Sequence, residues 1–483
     1  MSDLKKTVMT NWRWVMCAML FFATTVNYMD RQVLSLTFKE FIQPEFHWTD
    51  SDYGTITGVF SIAYAIFCLF AGKFIDWMGT KKGYLIAIVV WSLGAVLHAG
   101  CGIATTWFVD GVDSVTAMRA VEAGSALAAT ISMVSVWLFL ACRMILGLGE
   151  AGNFPAAIKV TAEYFPKKDR AFATALFNAG ASVGALAAPA TIPLLAKSMG
   201  WEWAFIIIGA LGFVWAGIWI FVYDKPAESK HVNKAELEYI NQDEADAPKA
   251  EAKEEKQMSF VEAFKHRQTW SFAFGKFMTD GVWWFFLFWA PAYFQDQFGI
   301  KASDPQGIAL IFTLYAIVTV VSLFGGYLPK IFVEKKGMEP YAGRMRAMLI
   351  FAFFPIFALF AQPLGGIYGP WAVAIIIGIV GAAHQSWSAN IFSTTGDMFP
   401  KSAVATITGI GAMAGGVGSF LINKGSGMLF THAEELGEAF KFVGFTGKPA
   451  GYMIVFCICA VAYLIGWTVM KTLVPRYKPV EIK

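Results

Sequence analysis

The sequence predicts an all-α polytopic membrane protein with twelve transmembrane helices in two pseudo-symmetric six-helix bundles. Three observations carry that expectation. Hydrophobic residues make up 57% of the 483-residue chain and charged residues only 15%, where soluble domains carry about 25% charged residues. Apolar runs of roughly 20 residues, the length that crosses a bilayer as a helix, recur along its length. The chain also repeats: EYFPK (163–167) and DMFPK (397–401) each precede a span rich in small residues, 234 residues apart, and Gly184 matches Gly418 at the same offset. A parallel repeat of six helices places a binding site near the midplane, between the halves.

Taken in order, the apolar runs predict spans near 12–38, 52–74, 83–104, 133–158, 170–196, 203–223, 269–294, 306–332, 345–364, 369–394, 402–424 and 450–473. The first run is too long for a signal peptide and lacks a small-residue cleavage site, so it is expected to remain as a span. An even number of spans puts both termini on one side. Of the Lys and Arg residues, 27 fall on that side, seven opposite and four within spans, which predicts cytoplasmic termini and a bacterial-type inner-membrane location. Residues 224–268 are charged and poor in aromatics, and read as a cytoplasmic linker with one short surface helix. The expected domains are therefore 1–223, a linker at 224–268, and 269–483 with a cytoplasmic tail. Residues 105–132 and 425–449 are long external connections, the first an interfacial helix leading into span four. The six cysteines lie in or beside apolar segments, so neither a structural disulfide nor a metal site is expected.

Charge inside these spans is where chemistry concentrates. In ACRMILGLGEAGNFPAAIK (141–159), Arg143 and Glu150 stand almost two turns apart on one helical face. Asp30 and Arg31 sit in another apolar run. Each ionised group costs about 2.5–3.5 kcal/mol on insertion scales, and such groups face a partner or a water-filled cavity. At ~1.5 Å per residue, Asp30 and Arg143 each lie roughly 15 Å from the outer ends of their spans, so they can pair, with Glu150 about two turns deeper. A static structural ion pair is the competing account. In span seven, Lys276 and Asp280 are four residues apart: either an intrahelical neutral pair or an anion contact from the second half. Asn178 and Ser182 in span five can offer hydrogen bonds, and His384, Gln385, Ser388 and Asn390 in span ten are polar enough to line a binding site. A buried His, however, is more often simply hydrogen-bonded. Between spans two and three, GKFIDWMGTKK orders Gly72, Asp76, Gly79, Lys81 and Lys82. The glycines allow a tight turn, and Asp76 can neutralise a helix end.

That loop resembles the signature loop of the major facilitator superfamily, in which it latches the two halves in one state. Its second-half counterpart, GGYLPKIFVEKKG, keeps only Gly326, Lys335 and Lys336. The strings NYMDRQVLS, RMILGLGEAGNFPAA, GKFMTDGVWWFFLFW, HQSWSANIF and LVPRYKP resemble the anion:cation symporter family, and within it the hexuronate transporters. The likeness covers nearly all of the chain except 105–132, 425–449 and part of the linker. It implies that Arg31 binds a substrate carboxylate, that Arg143 tunes Asp30, and that Tyr64 contacts substrate. Arg suits such a role because its planar fork of donors matches a carboxylate.

No enzyme signature is present. GLGEAG lies mid-membrane with no preceding strand, so it is not a nucleotide fingerprint. The expectation is proton-coupled uptake of an organic anion, a hexuronate such as glucuronate or galacturonate, by alternating access. Asp30, Glu150 and Asp280 balance Arg31, Arg143 and Lys276, so an added carboxylate leaves the cavity negative unless protons accompany it. Asp30 and Glu150 are the expected carriers, since loss of water penalises a carboxylate's charged form. Alternatives are a hexonate symporter, an organophosphate exchanger clamping phosphate between Arg31 and Lys276, or a transporter-like membrane sensor. The expected partners are the small organic anion, protons and the lipid bilayer, with no nucleic acid and no cofactor, and the protein working as a monomer.

Overall fold

The long helices of the computed structural model, which describes residues 9–242 and 258–480, follow the apolar runs closely. They are α1 (Trp12–Thr37), α2 (Asp50–Met78), α3 (Thr80–His98), α4 (Ala126–Glu150), α5 (Lys167–Met199) and α6 (Trp201–Val222). The second set is α7 (Arg267–Phe298), α8 (Pro305–Lys336), α9 (Pro340–Phe353), α10 (Pro370–Met398), α11 (Lys401–Leu436) and α12 (Lys448–Leu473). Among the described residues, ten spans are long and apolar enough to cross a membrane by length and composition. α1 and α7 are 26 and 32 residues long, but their polar side chains, Asp30, Arg31, Lys276 and Asp280 among them, dilute their apolarity. Trp137, Phe221 and Leu323 stay exposed on the flanks, as befits a surface whose solvent is lipid.

Several elements depart from the expected spans. α4 starts at Ala126, within the stretch expected as an outer connection, and breaks at residues 151–152 before continuing as Asn153–Tyr164. α9 passes through a 3₁₀ segment, Phe354–Phe360, where Pro355 removes a donor, and resumes as Ala361–Tyr368. The second long connection, 425–449, is largely helix: α11 runs on to Leu436, followed by a two-stranded hairpin pairing Lys441 with Thr446. In the linker, Lys234–Ile240 forms the expected short helix; residues 243–257 lie outside the described residues.

That helix is tied to the start of α1. Glu236 accepts hydrogen bonds from Thr10 Oγ1 (2.5 Å), Trp12 N (2.9 Å) and Arg13 N (3.1 Å), and pairs with Arg13 Nη1 at 3.1 Å. Burial alone would raise the Glu236 carboxyl, but these donors outweigh it and hold the group below the ordinary carboxylate range.

The sequence repeat is repeated in packing. Pro166 and Pro400 occupy the N-caps of α5 and α11 with nearly identical backbone angles (φ −63° and −62°, ψ 155° and 153°). A Cβ at Gly184 would lie 2.4 Å from the Thr25 carbonyl oxygen of α1, and one at Gly418 would lie 2.1 Å from the Phe277 carbonyl oxygen of α7. Both positions therefore require glycine for the same backbone approach. Glu163 accepts from Thr80 Oγ1 at 2.6 Å at the start of α3, and its repeat partner Asp397 holds Arg344 at 2.7 Å near the start of α9.

The first and last six spans meet along α2 and α11. Gly54 and Gly58 of α2 lie against Asn423, Gly427 and Phe420, and further along, Gly409 of α11 faces Leu69. At the face opposite the termini, Tyr53 Oη donates to Phe288 O (2.7 Å), Ser51 N to Thr431 Oγ1 (2.9 Å), and Ser303 Oγ to Glu40 (2.7 Å). Among the described residues, the ion pairs joining the two sets are Lys39–Asp296 (3.0 Å) and Lys448–Asp50 (2.5 Å), both at this same face. On the terminus-bearing face, Lys81–Asp224, Lys159–Asp76 and Arg344–Asp397 all stay within one set. Among the described residues, the ion pairs that join the two sets thus lie at the far face and none at the near one.

Between α1 and the far face the backbone widens. Phe38–Ile42 forms a π-helical turn, which places Lys39 in the ion-pair cluster.

Candidate functional site

α1 brings Asp30 and Arg31 into the middle of the bundle, and α4 brings Arg143 and Glu150. All four are at most 5% exposed. The ion pair they form differs from the one that depth along the helices suggests. Arg31 Nε donates to Glu150 Oε2 at 2.8 Å, while both Asp30 oxygens and all three Arg143 guanidinium nitrogens lack a hydrogen-bond partner among the described residues. The expected direct Asp30–Arg143 pair is thus absent in this conformation. Arg143 lies 5.4 Å over the Phe60 ring instead. Height along a helix axis specifies how deep a side chain sits, but not which way it points.

Arg31 is boxed by aromatic faces. Its guanidinium carbon is 4.4 Å from the Tyr64 ring centroid, 5.5 Å from Tyr28 and 5.5 Å from Trp284, which reaches across from α7. With its faces covered and its Nε held by Glu150, the guanidinium keeps Nη2 as a buried donor without a partner. A free donor edge beside half-exposed Tyr64 and Trp284 can accept a carboxylate in the plane of the fork. Tyr28 and Trp284 lie inside the strings NYMDRQVLS and GKFMTDGVWWFFLFW but carry no assigned role in the motif reading. Tyr28 was detectable three positions before Arg31, on the same helical face.

In the second set of spans the bland readings describe this conformation. Lys276 pairs with Asp280 at 2.7 Å and lies 4.2 Å over Phe392, so its ammonium is already neutralised within its own helix. His384 Nδ1 is 2.6 Å from Tyr463 Oη, and its ring stacks on Trp283 with centroids 5.4 Å apart. Asn390 donates to Ser386 O (2.8 Å) and borders a cavity of about 360 Å³ with Lys330 and Arg344, away from Arg31. Gln385 and Ser388 are half-buried beside His384. In α5, Asn178 is exposed and Ser182 half-buried.

The loop after α2 is only partly as expected. Gly79 makes the turn, with φ +78°, whereas Gly72 lies inside α2 and a Cβ there would meet nothing within 4 Å. Asp76 pairs with Lys159 (2.7 Å) and Lys81 with Asp224 (2.8 Å), while Lys82 is exposed. In this conformation the loop braces the first six spans, and among the described residues its ion pairs do not bridge to the others.

Comparison with known proteins agrees with this architecture. The sequence profile of the Major Facilitator Superfamily matches residues 20–422. The chain is 27% identical over 471 residues to the hexuronate transporter of Escherichia coli (strain K12), covering 97% of this chain and 96% of that one. It is 28% identical over 320 residues to the galacturonate transporter of Dickeya chrysanthemi, covering 66% of this chain and 82% of the relative. In structure it is similar to a bacterial homologue of the human lysosomal transporter Spinster in an inward-facing, unoccupied conformation. That match has a TM-score of 0.69 at 18% identity and covers 97% and 99% of the two chains. A D-xylose–proton symporter matches with a TM-score of 0.65 at 14% identity, covering 97% and 98%. At such identities the structural likeness speaks to the fold alone.

Proposed function

This chain belongs to the Major Facilitator Superfamily, and from that premise we propose that it takes up a hexuronate, such as glucuronate or galacturonate, together with protons. It is an integral membrane transporter and not an enzyme. The observation that carries the proposal is the Arg31–Glu150 ion pair inside an aromatic box. Relatives named for hexuronate, galacturonate and D-galactonate transport support the sugar-acid class.

The mechanism follows from competition for one guanidinium. In the empty carrier, Glu150 occupies Arg31 as a substrate carboxylate would. An arriving carboxylate displaces it, leaving Glu150 buried without a counter-charge, a state that taking up a proton relieves. Asp30 and Arg143 form the second coupled element: protonation of Asp30 changes the field at a buried Arg that has no hydrogen-bond partner in this conformation. Alternating access supplies the two global states, and substrate and proton shift their balance through differential affinity. An organophosphate exchanger is disfavoured because the Lys276 ammonium, its second clamp, is already neutralised by Asp280 within its own helix.

Labelled glucuronate in proteoliposomes tests the reading. An inside-alkaline pH gradient should drive accumulation above equilibrium; equal uptake with and without the gradient would remove proton coupling, and no uptake of any hexuronate would remove the substrate class.

We place both termini and residues 224–268 on the cytoplasmic side and residues 105–132 outside. An impermeant thiol reagent on intact cells should modify Met118→Cys after mild loosening of its packing, or its exposed neighbour Ala117→Cys directly, and should spare Ile240→Cys. The reverse pattern would invert the topology.

A further inference from the structure

Four charged side chains that neither the sequence motifs nor the central site employ meet at the face opposite the termini. Lys39 and Asp50 come from the first six spans, Asp296 and Lys448 from the last six. Asp50 is 1% exposed and Lys39 9%, and the side chains of Asp296 and Lys448 are 11% and 13% exposed. Four contacts close a ring: Lys39–Asp50 at 2.8 Å, Lys39–Asp296 at 3.0 Å, Lys448–Asp296 at 3.1 Å and Lys448–Asp50 at 2.5 Å. Tyr452 Oη donates to Asp296 at 2.8 Å, and the exposed Glu434 reaches Lys448 at 3.3 Å.

Each set of spans contributes one acid and one base, and those two already touch each other. We propose that this quartet is the outer gate, built to divide into two neutral pairs when the outer face opens. Opening breaks only the two cross-contacts, Lys39–Asp296 and Lys448–Asp50. Lys39 leaves with Asp50 and Lys448 with Asp296. A lone buried charge is strongly unfavourable, and so is stripping one partner from a buried pair. The partition avoids stranding any charge in either state. The closed face can thus be held by charge without becoming too hard to open.

The inference rests on the alternating-access reading but not on the substrate, and it makes two double variants of equal net charge behave oppositely. Asp296→Asn with Lys448→Gln removes one whole pair. Both cross-contacts vanish, no charge is stranded, and the outer face should open more readily. Lys39→Gln with Asp296→Asn leaves Asp50 and Lys448, one on each side. Opening must then separate them and strand Asp50 without a partner, so the outer face should stay shut. Lys39→Gln with Asp50→Asn is the mirror image of the first and should behave like it.

Hydrogen–deuterium exchange on the substrate-free protein in nanodiscs reads this directly and needs no knowledge of what is transported. Exchange in α6 serves as the check that each variant is folded. Relative to wild type, residues 38–53 and 288–300 should exchange roughly tenfold faster in the two within-set doubles and no faster in the cross-set double. Equal exchange in all three, or faster exchange in the cross-set double than in its counterparts, would overturn the gate.

Discussion

Glu150→Gln is expected to abolish proton-driven accumulation of substrate while preserving exchange of labelled for unlabelled substrate. The side chain keeps its size and an acceptor for Arg31 Nε, now 2.8 Å from the native carboxylate, but it can no longer carry charge. The substrate carboxylate then meets no ionised competitor, so the loaded carrier forms and turns over. Substrate-free return is what fails, because Arg31 is left buried with no anion to neutralise it. Gradient-driven uptake should fall by at least about a hundredfold, a barrier increase of ~2.7 kcal/mol, with counterflow near wild type. Retained accumulation would exclude Glu150 as an obligatory carrier and shift the role to Asp30. Loss of both activities in a folded, substrate-binding protein would assign Glu150 to another step.

Arg31→Lys should weaken substrate binding by at least about tenfold, ~1.4 kcal/mol, while the protein still inserts and folds. Lys keeps the charge, so Glu150 keeps a counter-ion. It loses the planar fork and the flat surface that Tyr64, Tyr28 and Trp284 cover, and with them the in-plane grip on a carboxylate. Binding measured by calorimetry or scintillation proximity separates this from a turnover defect. Affinity within twofold of wild type would remove Arg31 from the site.

Much of this architecture is legible in the chain because bilayer thickness sets a length that apolar runs must match, and because the repeat is written in local structure. The Phe-Pro-Lys strings read as helix starts since Pro at an N-cap loses no hydrogen bond there, and both do cap helices, α5 and α11. The site's residue types are legible for a related reason: ionised groups in lipid-length helices are conspicuous. Their pairing is not. Asp30 and Arg31 are adjacent in sequence and face different neighbours, and a two-residue break follows Glu150, so axial arithmetic could not choose between them. The quartet opposite the termini was invisible for another reason. Positions 39, 50, 296 and 448 each lie at a span end, where charge is ordinary, and only the assembled fold brings them together.

The widened turn at Phe38–Ile42 bears on how α1 should be read at all. A single-residue insertion into an α-helix advances everything beyond it by about 100° around the axis. α1 and the segment that follows therefore form two wheels out of phase. Tyr28 and Arg31 lie before the turn and meet at the centre, where Arg31 pairs with Glu150, while Lys39 lies within the turn itself and reaches Asp50 and Asp296. Drawn as one continuous wheel, the chain would misplace one set or the other. The phase slip lets a single span address both the centre of the protein and its rim.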